Sequence, residues 1–144
     1  MPTTAPRIGV ACLNTGERAA FADWLRMADL EPVLLVDACL VDADVSGKGL
    51  ECVIADASLL KREYLMELRR VDPRLPVLAV GDAGDPSQKE LERRDVRFYA
   101  RPIEMRTLLL GVSLAMAESR PMRRSLRRLL SERRADAAGP APST

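Results

Sequence analysis

Short apolar runs and helical patterns alternate along the chain, and that alternation sets the expected architecture. Ile8 to Leu13 (IGVACL) reads as a first strand, ended by Asn14, Thr15 and Gly16. Behind it Phe21, Trp24, Leu25 and Ala28 recur at helical spacing and predict one apolar helix face. Asn14 and Glu17, three residues apart, resemble a capping box with asparagine in place of the usual serine or threonine. A second strand is predicted at Val33 to Val36 (VLLV), after Pro32. Cys52 to Ala55 (CVIA) is the third, apolar throughout as a central parallel strand should be. Between them Ser46, Gly47 and Gly49 interrupt the pattern from Ala38 to Gly49, leaving a weak helix or loop. Leu65, Leu68 and Val71 mark a helix stopped at Asp72-Pro73, Val77 to Val80 (VLAV) a fourth strand, and Ser87 to Arg94 a short polar helix. Arg97 to Ala100 (RFYA) forms the fifth strand, broken at Arg101-Pro102, and a last helix runs from Met105 to Ser119, short of Pro121. Repeated βα units of this kind predict an α/β fold around a parallel sheet.

Composition narrows the function classes. With 144 residues and 47% hydrophobic content the chain can fill one core and hardly two, so the expected organisation is one domain over 1–119 followed by a tail. Lysine plus arginine number 22 against 21 acids, and a net charge of +1 gives no global field toward nucleic acid or membrane. Apolar stretches such as Leu108 to Leu110 are far below the roughly 20 residues that span a bilayer. Met1 to Arg7 has no apolar signal core, so the expected location is cytoplasmic.

Cys12, Cys39 and Cys52 form no C-x-x-C pair and the chain has no histidine, which favours buried thiols over zinc and removes histidine-based nucleophilic catalysis. Glycines 47, 49, 81, 84 and 111 form neither G-x-G-x-x-G nor a phosphate loop, and Asp37, Asp42 and Asp44 lack the order of a calcium loop. No enzyme activity, cofactor or metal is expected.

In an open parallel sheet, ligands gather at the carboxyl ends of the strands. That rule selects Cys12-Leu13-Asn14, Asp56-Ala57-Ser58, Gly81-Asp82 and Arg101-Pro102. With Asp56 ending a central strand, Pro76 preceding the fourth strand and Arg101-Pro102 following the fifth, residues 6 to 118 resemble the receiver domain of two-component response regulators. The resemblance implies a doubly wound, five-stranded parallel sheet of order 2-1-3-4-5. It also implies that Asp56 stands at the phospho-accepting position, Arg101 at the position of a lysine, and Phe98 at an aromatic switch position.

The departures from that pattern matter as much. Two adjacent carboxylates that hold magnesium in the family fall here on Cys12 and Leu13, neither of which offers an oxygen ligand. The family's serine or threonine after the fourth strand falls on Gly81. Arg101 keeps a positive charge but presents a planar fork instead of a compact ammonium. Asp56 therefore either accepts a phosphoryl group or ends the strand and pairs with Arg101, and Arg101 pairs with Asp56 or Asp82. Phe98 and Tyr99 alternate on a strand, so one is expected in the core and the other partly exposed. Cys12 is either a small buried residue or a thiol activated by a nearby guanidinium.

Two surfaces remain. With Leu108, Leu109, Val112 and Met116 facing the sheet, Leu110 and Leu114 point sideways along the last helix as a partner strip, and Gly111 and Ala115 would admit a second helix. The family resemblance suggests a homodimer there; cover by the tail is the other reading. From Arg120 to Arg134 there are seven arginines and one glutamate, with Met122, Leu126, Leu129 and Leu130 at helical spacing. That basic amphipathic extension, 120–134, precedes a disordered 135–144 (ADAAGPAPST). The reading that combines these features is an atypical receiver-like signalling domain, acting by contact with itself or another signalling protein and without the magnesium-dependent switch. Beside it stand a response regulator phosphorylated on Asp56 and a nucleic-acid-binding regulator acting through the arginine tail.

Overall fold

A computed structural model describes residues 5–35 and 49–118. The weak helix or loop expected between strands two and three, apart from Gly49, lies outside the described residues, as do Cys39, the three aspartates at 37, 42 and 44, and the whole tail. The strands are β1 (Arg7–Ala11), β2 (Glu31–Leu34), β3 (Leu50–Asp56), β4 (Val77–Gly81) and β5 (Arg97–Ala100). The helices are α1 (Thr15–Met27), α2 (Arg62–Val71), α3 (Gln88–Arg93) and α4 (105–118). All pairings are parallel, in the order β2-β1-β3-β4-β5. The fold class and strand order are those expected.

Alternation along the strands divides the core in two. Ile8, Val10, Cys52, Ile54, Leu78 and Val80 meet Phe21 and Leu25 of α1 and Leu108 and Val112 of α4 on one face. On the other, Ala11, Val53, Ala55, Val77 and Ala79 meet Leu65 and Leu68 of α2 and Leu91 of α3. β3 is covered on both sides because it lies at the centre, which is why its sequence is apolar without interruption.

Several boundaries differ from expectation for physical reasons. β2 begins at Glu31 and includes Pro32, which pairs with Ile8. At the sheet edge a missing N–H costs no ladder bond, so the proline that marked a border lies inside the strand. Ala28 is an exposed C-cap and not part of the apolar face of α1. Beyond it Asp29 is left-handed (φ 59°), as is Asp95 after α3 (φ 60°). At both ends a bond returns across the turn, from Leu30 N–H to Leu25 (2.9 Å) and from Val96 N–H to Leu91 (3.0 Å), with aspartate where glycine is usual.

On α4, Leu108 and Val112 are buried, Leu109 and Met116 half-buried, and Leu110 and Leu114 exposed. Gly111 and Ala115 are buried against the sheet and do not admit a second helix: a Cβ on Gly111 would collide with the Tyr99 hydroxyl. Among the described residues no helix is long and apolar enough to cross a membrane.

Candidate functional site

The carboxyl edge of the sheet brings together residues from four connections. β1 ends at Ala11, two residues before the expected limit, so Cys12 and Leu13 belong to the loop. Cys12 turns into the core, and Leu13 is mostly exposed. Asn14 caps α1, its Oδ1 accepting the Glu17 N–H at 2.9 Å. The Glu17 carboxylate turns away from the cap and reaches Arg101.

Asp56 ends β3 and caps the short 3-10 turn Ala57–Leu59. Its Oδ1 accepts both the backbone N–H (3.0 Å) and the Oγ hydroxyl (2.7 Å) of Ser58. Its Oδ2 accepts from Arg101 Nη2 at 2.5 Å. Arg101, beyond β5, donates from Nε to Glu17 Oε2 (2.8 Å) and from Nη2 to Glu17 Oε1 (2.9 Å), a two-pronged pair across 84 positions of sequence. Side-chain exposure is 27% for Arg101, 17% for Glu17 and 13% for Asp56. Asp82, almost fully exposed, stands 3.7 Å from Nη1, outside hydrogen-bond distance. Of the two partners expected for Arg101, Asp56 is thus bonded and Asp82 is peripheral.

The charges are settled within the cluster. Burial raises the Asp56 pKa, but the two Ser58 hydrogen bonds, with the bond and the charge of Arg101, outweigh it and hold the carboxyl below its usual range. Bonds to Glu17, and then to Asp56, raise the Arg101 pKa further against partial burial. Burial, followed by the Glu17 and Asp56 charges, pushes the Cys12 thiol up to about 12 despite Arg101. At neutral pH Cys12 is a packed thiol, and the guanidinium does not activate it. In the loop after β4, Asp85 repeats the Asp56 arrangement, accepting from Ser87 N–H (2.8 Å) and Oγ (2.6 Å), and these bonds lower its pKa.

Gly81 ends β4 under an aromatic ring. A Cβ there would lie 2.8 Å from Phe98 Cζ and 3.0 Å from Ala57 Cβ, so Phe98 fills the space that a side chain at 81 would take. Phe98 packs on the α2–α3 side and Tyr99 on the α1–α4 side, and both are half-buried. The expectation of one core and one partly exposed ring is corrected: at the edge strand β5 each face receives only part of a helix's cover.

A divalent cation does not fit these residues. It requires several oxygen ligands, whereas the loop after β1 supplies a thiol and an isobutyl group. Among the described residues no group of three histidine, cysteine, aspartate or glutamate side chains could hold a metal ion. The nearby carboxylates face a guanidinium. Glu17 was missed as a site residue because its spacing from Asn14 has a complete local explanation as a helix cap. A glutamate one turn into a helix that starts at the sheet mouth was the available signal.

No protein-family model matches the chain, and no curated protein matches its sequence. Solved structures do match. A structure of NtrX from Brucella abortus in complex with ADP superposes with a TM-score of 0.73 at 23% identity, covering 94% of this chain and 30% of that one, so the chain spans less than a third of NtrX. The receiver domain of NtrX alone gives 0.69 at 23% identity, over 76% of this chain and 98% of that one. A CheY-like response regulator receiver domain protein from Methanospirillum hungatei JF-1 gives 0.72 at 15% identity, over 82% and 98%. With the parallel sheet order 2-1-3-4-5, these likenesses establish that the chain has the CheY-like fold of response-regulator receiver domains.

Proposed function

We propose that this protein is an atypical receiver-like signalling domain that works by protein–protein contact, without enzymatic activity and without a magnesium-dependent aspartyl phosphorylation switch. The observation that carries the reading is the engagement of both Asp56 oxygens: Oδ1 is held by Ser58 and Oδ2 by Arg101. A carboxylate attacks a phosphoryl group through a free lone pair, and attack becomes possible when a cation offsets the approach of two anions. Here Oδ1 already accepts two hydrogen bonds, Oδ2 is engaged by Arg101, and the adjoining loop carries Cys12 and Leu13 in place of oxygen ligands for a metal ion. The contact surface in this reading is the outer side of α4, where Leu110 and Leu114 form a strip suited to a second copy of the chain.

The test is intact-mass measurement after incubation with acetyl phosphate and MgCl2, with beryllofluoride binding as a second readout. Unchanged mass and no magnesium-dependent beryllofluoride binding are expected. Stoichiometric addition of one phosphoryl group to wild type, lost in Asp56→Asn, would replace this reading with that of a phosphorylated response regulator.

A further inference from the structure

A second concave site lies at the amino edge of the sheet, opposite the edge that carries Asp56. Where β4 and β5 begin, the turn before β4, the turn between α3 and β5 and the last turn of α4 border an open cavity of about 820 Å³. Small-molecule sites fall in the range of roughly 300–1,000 Å³. The lining divides by chemistry. Pro73, Pro76, Phe98 and Tyr99 supply apolar wall. Arg69, Arg74 and Arg97 supply guanidinium groups. Arg97 is paired with Glu118, whereas Arg69 and Arg74 have no carboxylate within ion-pair distance among the described residues.

Arg69 is half-buried, and of its five N–H donors one is committed, from Nη2 to the Arg94 carbonyl at 2.8 Å. Its Nε is buried without a hydrogen-bond partner. A buried donor on a charged group is costly to leave without an acceptor, and native structures keep few such groups. Burial lowers the Arg69 pKa; Asp95 opposes that shift and Arg74 adds to it. An oxyanion between Arg69 and Arg74 offsets their repulsion and offers acceptors to donors that the fold leaves open. The acids of the lining limit what such an anion can be. Glu92, Asp95 and Glu118 equal the three arginines in number, so the cavity has no excess positive charge to draw in a polyanion such as nucleic acid. One anionic head on an uncharged body matches both the two unpaired arginines and the apolar wall.

We propose that this cavity binds a metabolite-sized organic anion, its single phosphate or carboxylate head between Arg69 and Arg74 and its apolar body along the proline and aromatic lining. The site goes beyond the contact surface on the outer side of α4 and does not depend on Asp56. It gives the domain a small-molecule input at the edge remote from the mouth, and Ala115 and Glu118 set that input against the last turn of α4.

Amide NMR spectra of the full chain, titrated with phenylphosphonate, benzoate, inorganic phosphate and benzyl alcohol, test the proposal. At least one of the two aromatic anions is expected to shift the amides of Leu75, Val77 and Val96 saturably, and which one does so identifies the preferred head. Inorganic phosphate lacks the body and benzyl alcohol the charge, so each should bind at least about tenfold more weakly. Arg69→Met and Arg74→Met should each weaken the better anion by about tenfold or more, with wild-type circular dichroism. Arg74 is exposed, so its variant decides the matter should Arg69→Met fail to fold. The proposal is overturned if neither aromatic anion shifts these amides, if Arg74→Met binds as tightly as wild type, or if the saturable shifts centre on Asp56 and Arg101. Binding of inorganic phosphate or benzyl alcohol as tight as that of the aromatic anions would equally remove it.

Discussion

Only residues 102–104 separate Arg101, at the sheet mouth, from α4, yet the two regions obey opposite rules. At the mouth, Asp56 takes three donors and Arg101 two acids. On the outer side of α4, Leu110 and Leu114 are 58% and 45% exposed. A charged group withdrawn from water is costly unless its own chain satisfies it, so folding closes the mouth. An exposed leucine incurs no such penalty and is tolerated singly. Its burial, worth about 1.5–3 kcal/mol for a complete side chain, becomes available through a further contact. The mouth is internally complete, and in the proposed reading the exposed helix face is the contact surface.

Breaking the mouth should therefore unsettle the fold. Asp56→Ala leaves Arg101 hydrogen-bonded to Glu17 only, with Asp82 more distant, and the Ser58 N–H without this acceptor. A fully buried pair broken from one side costs about 3–5 kcal/mol, and because Glu17 remains we expect about 2 kcal/mol by denaturant melt. The pH dependence has a definite sign. The folded pKa of Asp56 is depressed, so its contribution is complete above the unfolded value near 3.8 and disappears as pH falls through the folded value. The stability gap between wild type and Asp56→Asn should be constant at neutral pH and close below about pH 4. A gap that persists into strong acid would show that packing, and not charge, holds the cluster.

A smaller effect sharpens the comparison on the same sheet edge. Gly81→Ala places a methyl against the Phe98 ring and Ala57. Overpacking of this kind costs about 1–3 kcal/mol, and the ring has to move for the methyl to fit. Adding Phe98→Leu should recover part of the loss, giving a coupling measurable in a double-mutant cycle. Strictly additive losses would mean that Phe98 does not fill the space above Gly81.

These cases show why some of the molecule was legible in the sequence and some was not. The strands read clearly because burial on both faces demands runs such as CVIA at Cys52 to Ala55, and that demand is local. Asp56 and Arg101 were found because strand ends are fixed once strands are. Glu17 was missed because its partner lies 84 residues away while its own neighbourhood already explained it as a cap. Gly111 was misread for a related reason. A small residue on a helix signals close approach of something, and only the tertiary structure identifies Tyr99 as that neighbour.

The smallest expected change in stability, and the largest in association, comes from α4. Leu110→Glu with Leu114→Glu replaces two exposed apolar side chains and leaves Leu108, Val112 and Ala115 packed on the sheet. Surface changes away from buried features usually alter stability within about 0.5 kcal/mol, so the double variant should melt like wild type. If the strip is an interface between two copies, each symmetric contact uses it twice, and a negative charge placed there repels its own image. Sedimentation velocity across a concentration series should then show wild type passing from monomer toward dimer while the variant stays monomeric, with identical circular dichroism. The two leucines are partly exposed, so their burial alone offers too little to overcome the entropy of association, and a weak, concentration-dependent dimer is expected rather than an obligate one. A wild type that remains monomeric throughout would remove the dimer and leave the strip to another protein. A double variant that unfolds would instead tie Leu110 and Leu114 to the core and erase the contrast between a closed mouth and an open helix face.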